Sequence, residues 1–172
     1  MRGLTHALSY AKGKRVLDLG CAEAAIAVEF ALAGAAHVHG MELLPAHLTA
    51  ASAYVKCSGA EGLVTLQQTN LRSYSVESHP HFDQYDMVLA LSVIHKMEVP
   101  ATLLRFAARV AKEWLVYRPP GRSALVGRNG VIRSKHRNSW CDAPTLLRAE
   151  GFECTERAPS AREEVVEYWR RT

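Results

Sequence analysis

Short apolar blocks alternate along this chain with longer blocks in which apolar residues recur at helical spacing. The short blocks have the length of strands, and the longer blocks have the length of helices. In order they are RVLDLG with AEAAIAVEFALAGA, HVHGME with PAHLTAASAYVKCSG, GLVTLQQ alone, YDMVLAL with VPATLLRFAARVAKE, and WLVYRP alone. Strands that alternate with helices in this way predict βαβ units on a parallel sheet.

Residues that favour helix ends stand where this interpretation places those ends. Pro45 and Pro100 fall in first turns, where a missing N–H costs little. Gly34 and Gly59 follow the last turns of two helices, where a left-handed residue commonly ends the helix. The predicted elements therefore rest on more than hydrophobicity.

Beyond the fifth strand the pattern weakens through a long irregular loop from Pro119 to Trp140. Loops of this length in compact domains are commonly functional. The pattern then resumes with DAPTLLRAEGFECTER and EEVVEYWRR. These segments predict a helix capped by Asp142 and stopped by Gly151, followed by two closing strands.

Composition sets limits on the fold and the cellular context. A chain of 172 residues with 48% hydrophobic content suits a single domain over residues 1–172. No apolar stretch is long enough for a signal peptide or a membrane span, so we expect a cytoplasmic protein. Four cysteines without a C-x-x-C pair, and histidines without an accompanying acid pattern, predict neither a disulfide framework nor a metal site.

The turn after the first strand, LDLGCAEA, lies where an open α/β sheet binds its ligand. A dinucleotide-binding turn has the pattern G-x-G-x-x-G, but the comparable positions here are Gly20, Ala22 and Ala25. The carboxylate of Glu23 would also repel a phosphate, so a nicotinamide cofactor is disfavoured. S-adenosylmethionine has no phosphate, and Asp18 with backbone groups around Gly20 can hold its amino-acid end.

A second acid follows at the spacing that a nucleoside requires. Glu42 ends the second strand, about twenty residues beyond the turn, where a carboxylate meets both ribose hydroxyls. With D-x-G, this acid and LALSVIHKM in order, the chain resembles the class I, Rossmann-like methyltransferases that use S-adenosylmethionine. The resemblance extends from about Gly13 to Arg170.

The resemblance implies a fold and a cofactor. The fold is a three-layer α/β/α sandwich around a doubly wound, mostly parallel sheet of seven strands whose last strand is antiparallel. The cofactor is S-adenosylmethionine, with S-adenosylhomocysteine as the product. The first motif of the family is D-x-G-x-G-x-G, which this chain matches at Asp18 and Gly20. It has Ala22 and Ala24 at the two later glycine positions, which would tighten the pocket.

The resemblance also implies which residues contact the cofactor. Glu42 is then the ribose-binding acid, with Met41 and Leu43 beside the adenine. Asn70 stands where the family often has an acid that contacts the adenine amino group, and an amide oxygen can accept the same hydrogen bond. The predicted cofactor-binding residues are Asp18, Gly20, Cys21, Ala22, Glu42, Leu43, Asn70, Leu71, Ala90 and Leu91.

Two residues after the fourth strand, Ser92 and His95, are the catalytic candidates. An imidazole at this place can take a proton from a hydroxyl or amine nucleophile. A histidine that only packs there or lines the site is the alternative. Lys96, in the same segment, is a candidate for orienting an anionic or hydroxylated substrate.

Basic residues dominate the segment after the fifth strand. No acidic residue occurs between Glu113 and Asp142, and the net charge of the whole chain is +4. Because this segment begins beside the predicted active site, it favours an anionic acceptor that arginine can bind in a bidentate manner. A solvated, charged surface is the alternative. The predicted substrate residues are Lys96, Arg118, Arg133 and Lys135.

The predicted reaction is methyl transfer to an oxygen or nitrogen of an anionic or polar small molecule or glycan. An RNA methyltransferase is an alternative, although the chain lacks a recognisable RNA-binding motif. A further alternative is a non-catalytic binding or partner subunit that keeps the fold, which the two alanines of the first motif favour.

Overall fold

The computed structural model describes residues 3–78, 84–119, 131–133, 140–160 and 164–172, with 131–133 and 140 described by their backbone alone. The strands are β1 (Arg15–Leu19), β2 (His37–Glu42), β3 (Val64–Gln68), β4 (Tyr85–Leu91), β5 (Ala111–Arg118), β6 (Val131–Arg133), β7 (Trp140–Asp142), β8 (Phe152–Pro159) and β9 (Val165–Arg171). The helices are α1 (Thr5–Ser9), α2 (Ala25–Leu32), α3 (Pro45–Cys57), α4 (Pro100–Val110) and α5 (Ala143–Ala149). Single 3₁₀ turns follow β3 at Leu71–Ser73 and β4 at Ile94–Lys96.

Seven strands form one sheet in the order β3-β2-β1-β4-β5-β9-β8. The first five strands in this order are parallel to one another, and β9 is antiparallel to both β5 and β8. The chain moves outward from β1 to β3 and then crosses to β4 on the other side of β1. The strand order therefore reverses between β1 and β4, which creates the crevice where such sheets bind ligands. This confirms the predicted fold class.

The sheet separates two hydrophobic clusters, and each cluster lies between one face of the sheet and the helices that cover that face. One cluster unites α1, α2 and α3 with residues such as Val16 on β1. The other unites α4 and α5 with Leu17 and Leu19 on the same strand. Successive side chains of a strand point to opposite faces, so a central strand buried on both sides is apolar at nearly every position.

The predicted helix ends are confirmed. Pro45 and Pro100 lie in the first turns of α3 and α4. Gly34 and Gly59 have positive φ angles of 94° and 68° after α2 and α3, the left-handed conformation that ends a helix. None of the helices in the described parts of the chain is both long and apolar enough to cross a bilayer.

The segment predicted as an irregular loop contains more regular structure than expected. β6 and β7, at residues 131–133 and 140–142, pair antiparallel as a separate two-stranded sheet. The β-branched pair Val131 and Ile132 accounts for this, because such residues favour extended backbone. The helix that follows begins as predicted, because Oδ1 of Asp142 accepts a hydrogen bond from the Thr145 N–H at 3.1 Å.

One arginine fixes the last strand to the end of α4. Nε and Nη2 of Arg171 donate to the carbonyl of Ala111 at 3.1 and 3.0 Å. Nη2 also donates to the Ala108 carbonyl at 2.6 Å, and Nη1 donates to the Glu150 carbonyl at 3.1 Å. The guanidinium therefore satisfies carbonyls that the ends of α4 and α5 leave without intrahelical donors.

Replacing Arg171 by Met should lower the free energy of unfolding by about 2 kcal/mol, because hydrogen bonds from a charged donor contribute about 1.5–3 kcal/mol. Arg170→Met is the matched control. Arg170 is exposed and its Cζ lies 5.5 Å from the Trp114 ring centroid, a contact worth about 0.5–1 kcal/mol. Urea unfolding of both variants measures the difference, and equal losses would contradict the proposed role of Arg171.

Candidate functional site

The residues predicted to bind a cofactor are brought to one edge of the sheet. They lie at the carboxyl ends of β1, β2 and β4 and directly after β3, and these strands are parallel. This edge faces the crevice beside the switch point between β1 and β4. The predicted cofactor-binding residues lie together because the parallel strands that carry them all end at this edge.

The turn after β1 is fastened to the end of β2 and closely approached by the segment after β4. The N–H groups of Gly20 and Cys21 both donate to the carbonyl of Met41, at 2.8 and 3.0 Å. Gly20 has a φ of 78°, and a Cβ there would lie 3.1 Å from Cγ2 of Val93. A larger residue at Gly20 would therefore be strained and would press on Val93.

The two alanines at the later glycine positions of the family motif both have left-handed backbone. Ala22 has a φ of 49° and Ala24 a φ of 60°. Left-handed backbone costs an L-residue with a side chain about 1–2 kcal/mol. Ala24 directly precedes α2 and makes no side-chain cap for it. The turn therefore keeps a glycine-like backbone with residues that do not favour it.

The carboxylate of Glu42 holds this strained turn. Its Oε2 accepts from the Ala22 N–H at 3.0 Å, and its Oε1 accepts from the Leu43 and Leu44 N–H groups at 2.9 and 3.0 Å. The residue is only 8% exposed. A carboxylate offers about four acceptor sites, so three bonds leave room for at least one ligand hydroxyl.

Sequence reasoning missed two residues next to Glu42. His47, in the first turn of α3, places Nδ1 3.7 Å from Oε1 of Glu42 and Nε2 3.7 Å from Oε1 of Glu23. The N–H of Thr69 donates to the Glu42 carbonyl at 2.7 Å, while its buried Oγ1 has no hydrogen-bond partner among the described residues. The position of His47, five residues after the predicted ribose acid, was the signal that could have identified it.

Asp18 is a buried carboxylate at the end of β1. It is 3% exposed, and its Oδ2 has no hydrogen-bond partner within the described parts of the chain. Burial is the main cause that raises the pKa of this carboxyl to about 7. The negative charge of Glu42 acts in the same direction, and the positive charge of Arg118 opposes it. A buried acceptor without a donor suits a cationic ligand group.

Cys21 fills a space beside this turn that a glycine on β2 leaves open. A Cβ at Gly40 would lie 2.8 Å from the sulfur of Cys21. Burial, followed by the negative charges of Asp18 and Glu42, raises the pKa of the Cys21 thiol to about 12. The thiol is therefore a packing group and stays protonated at neutral pH.

Of the residues predicted near the adenine, Leu43 and Asn70 lie beyond the ends of β2 and β3, whereas Met41 lies within β2 and is fully buried in the core. Leu43 is 44% exposed, whereas Leu71 is buried. Oδ1 of Asn70 accepts from the Arg72 N–H at 3.1 Å, which starts the 3₁₀ turn after β3. This oxygen has a second lone pair, so the turn leaves the predicted adenine contact available.

Ser92 and Arg118 are bonded to each other where β4 and β5 end. The Ser92 N–H donates to the Arg118 carbonyl, and Nε of Arg118 donates to the Ser92 hydroxyl, both at 3.0 Å. Ser92 has a φ of 59°. Nε of Arg118 also lies 3.5 Å from Oε2 of Glu164, a residue that sequence reasoning missed because no local pattern connects it to β5.

The remaining predicted residues fall into two groups. His95 is 5% exposed in the 3₁₀ turn after β4, and Lys96 beside it is exposed. The backbone of Arg133 lies in β6, but its side chain is outside the described residues, as is all of Lys135. The catalytic and substrate roles assigned to these residues stay predictions.

Comparison with known proteins identifies relatives in sequence and in structure. A family model described as a methyltransferase domain matches residues 11–118. A ubiquinone biosynthesis O-methyltransferase of Marinobacter nauticus is 33% identical over 100 residues, 58% of this chain and 40% of the relative. The protein of the same name from Bordetella pertussis is 30% identical over 131 residues, 70% of this chain and 51% of the relative. This chain thus spans about half or less of the length of these relatives.

Solved structures share the fold at low sequence identity. Magnesium protoporphyrin IX methyltransferase from Synechocystis, solved with bound SAH, superposes with a TM-score of 0.76 at 16% identity, covering 98% of this chain and 82% of the other. An S-adenosylmethionine-dependent methyltransferase from Mesorhizobium loti gives a TM-score of 0.72 at 16% identity, covering 98% of both chains. These likenesses agree with the sheet order and layers described above.

Asp18→Asn should stabilise the unliganded protein above pH 7. The wild-type carboxyl has a pKa of about 7 in the folded protein, whereas in the unfolded chain it releases its proton near pH 4. The wild type therefore loses stability as the pH rises from about 4 to about 7, and the variant, which has no ionising group there, does not. At pH 8 the variant should melt at least about 4 °C above the wild type, since 1 kcal/mol shifts Tm by about 2–4 °C at this size. The gap should narrow at pH 5, and Glu61→Gln, an exposed control, should show no such change. A gap that is equal at both pH values would contradict the buried, ionising carboxyl.

Ala22→Gly should raise the free energy of unfolding by about 1 kcal/mol. Glycine adopts the left-handed conformation without strain, although its greater freedom in the unfolded chain offsets part of the gain. Ala53→Gly, at an exposed position inside α3, should instead lower stability by about 1 kcal/mol. Thermal unfolding compares the two, and a loss of stability in both would show that the turn is not strained.

Proposed function

Because the chain belongs to the class I family of S-adenosylmethionine-dependent methyltransferases, we propose that it transfers a methyl group from S-adenosylmethionine to a hydroxyl oxygen of a small molecule. The observation that supports this best is the pair of acids at the ends of β1 and β2, on either side of the Gly20 turn. Oδ2 of Asp18 is a buried acceptor that meets no donor among the described residues, and Glu42 keeps acceptor capacity after binding three backbone N–H groups.

The residues around the turn suit each chemical part of S-adenosylmethionine. The ammonium group of its methionine part is a donor for Oδ2 of Asp18. Its ribose diol is a donor for the remaining acceptor site of Glu42, beside the exposed Leu43 that would face the adenine. Charge-assisted hydrogen bonds of this kind contribute about 1.5–3 kcal/mol each.

The bound cofactor supplies an activated methyl group on a sulfonium sulfur. The residues of this chain then have to align the acceptor oxygen, exclude water and receive a proton, and alignment alone can supply about 7–11 kcal/mol of the barrier. His95, buried in the turn after β4, is our candidate for the base that takes the acceptor's hydroxyl proton. Ser92 in the same segment would then help to place the acceptor.

The nature of the acceptor is supported by the relatives and by charge. The relatives are named O-methyltransferases, which favours an oxygen acceptor over nitrogen. The acid-free segment after β5, with Arg133 and Lys135, favours an acceptor that carries a carboxylate or phosphate. We therefore propose hydroxylated aromatic or aliphatic acids as the first acceptor class to test.

Calorimetric titration with S-adenosylmethionine and S-adenosylhomocysteine, beside NADH, tests the cofactor. We expect micromolar binding of the first two and none of NADH. Glu42→Gln should weaken binding about tenfold or more, because the amide retains only one acceptor oxygen. Glu61→Gln, at an exposed position, is the control and should bind as the wild type does.

The acceptor class and the base are tested together by methyl transfer from labelled cofactor to a panel of hydroxylated acids. His95→Ala should reduce kcat by about a hundredfold or more while leaving cofactor affinity unchanged. Full turnover in this variant would contradict its role as base. Absence of any cofactor binding by the wild type would instead favour a non-catalytic subunit, the alternative that Ala22 and Ala24 support.

A further inference from the structure

Cofactor binding in the proposed function involves two charges at the methionine end, and only one of them has an assigned partner. We propose that Arg118 binds the carboxylate of the methionine part while Asp18 binds its ammonium group, so that β1 and β5 together hold the zwitterion. This inference rests on the proposed function and assigns to the cofactor a residue that sequence reasoning gave to the acceptor.

The two side chains project from the same face of the sheet. Asp18 follows Val16 by two residues on β1, and Arg118 follows Val116 by two residues on β5; both valines belong to the cluster beneath α1, α2 and α3. Side chains two residues apart on a strand point to the same face. Asp18 and Arg118 therefore point toward the same layer at the ligand-binding edge.

One strand separates them. On β4, Leu89 pairs with Asp18 and Leu91 pairs with Arg118. Neighbouring strands lie about 4.8 Å apart, so the backbones of β1 and β5 are about 10 Å apart. The positive charge of Arg118 acts on Asp18, yet the two form no ion pair in the described structure. The ammonium and carboxylate of an α-amino acid zwitterion complement an acid and a cation that stand apart in this way.

Within the part of the chain that the structure describes, the guanidinium of Arg118 is held through Nε alone. Its described contacts, to the Ser92 hydroxyl at 3.0 Å and to Glu164 at 3.5 Å, both involve Nε. Among the described residues, Nη1 and Nη2 make no hydrogen bond. Two such parallel N–H donors match the two oxygens of a carboxylate. The contact with Ser92 fixes the side chain before a ligand arrives.

The path between the two charges runs beside the Gly20 turn. Val93, directly after Ser92, approaches Gly20 so closely that a Cβ at Gly20 would lie 3.1 Å from it. Val93 thus brings the segment after β4 against the turn after β1, and Ser92 before it is hydrogen-bonded to Arg118 at the end of β5. When the ammonium group of the methionine part is bound at Asp18, its carboxylate lies at the edge of the sheet where Arg118 offers a positive charge.

Glu164 supplies a negative charge on the other side of Arg118, at 3.5 Å from Nε. In the unliganded protein it partly neutralises the guanidinium. A bound carboxylate would share Arg118 with it and would be repelled by it. Removing the charge of Glu164 should therefore strengthen binding of the carboxylate-bearing cofactor.

Three ligands distinguish the contribution of the carboxylate from that of the ammonium group. S-adenosylhomocysteine carries both groups, its decarboxylated amine carries only the ammonium group, and 5′-methylthioadenosine lacks the whole amino-acid end. Calorimetry on Arg118→Met should show at least about tenfold weaker binding of S-adenosylhomocysteine and unchanged binding of the other two. Arg118→Lys should lie between, because it keeps the charge without the fork. Arg105→Met is the matched control on α4, where Arg105 contacts Glu150 at 3.3 Å, and should bind all three as the wild type does.

Two further variants complete the test. Asp18→Asn should weaken both ligands that carry the amine and spare 5′-methylthioadenosine. Glu164→Gln should tighten S-adenosylhomocysteine about two- to threefold and leave the decarboxylated amine no tighter.

The inference fails if the wild type binds S-adenosylhomocysteine but Arg118→Met binds it equally well, or loses affinity equally for all three ligands. If Arg118→Met raises the KM for the acceptor and leaves the affinity for the cofactor unchanged, Arg118 binds the acceptor and not the cofactor. If the wild type binds none of the three ligands, the proposed function fails as well.

Discussion

The candidate site depends on one carboxylate that accepts three backbone hydrogen bonds. Glu42 binds the N–H of Ala22 in the turn after β1 and the N–H groups of Leu43 and Leu44 in its own turn. The neighbouring carbonyl of Met41 accepts two more bonds from the turn after β1. The end of β2 thus determines the shape of the first turn, although the two segments are about twenty residues apart. A left-handed alanine can persist in that turn because these bonds compensate its strain.

This arrangement makes the site costly to keep without its ligand. Asp18 is buried, and the negative charge of Glu42 repels the negative charge of its carboxylate. Oδ2 of Asp18 accepts no hydrogen bond from the described residues. Such a group lowers the stability of the unliganded protein wherever it is ionised. A cation that binds there removes the destabilisation caused by the ionised carboxylate. The protein with its ligand bound is therefore more stable than the unliganded protein. Strain and unsatisfied charge of this kind are typical of functional positions.

The sequence was sufficient for the features that local rules decide. Strand and helix order, the proline and glycine helix ends, the Asp142 cap and the two acids at the strand ends all follow from periodicity and spacing. The pairing of β6 with β7 was missed because three-residue strands give too little alternation to detect. The bond of Arg118 to Ser92 and its contact with Glu164 were missed because only tertiary folding brings the end of β5 next to the residue after β4 and the residue before β9. His47 and Thr69 were overlooked for the opposite reason, since each lies near a recognised position but matches no motif.

The burial of Cys21 has a consequence for a protein that would hold a methyl donor beside it. With a pKa of about 12, only about one thiol in 10⁵ is ionised at pH 7. The thiolate is the nucleophilic form of cysteine, and it would otherwise compete with any acceptor for an electrophilic methyl group. Packing against Gly40 and the charges of the two nearby carboxylates therefore favour the protonated thiol, the form that does not compete for the methyl group. The same acids that suit the binding of a sulfonium cofactor also contribute to keeping the Cys21 thiol protonated.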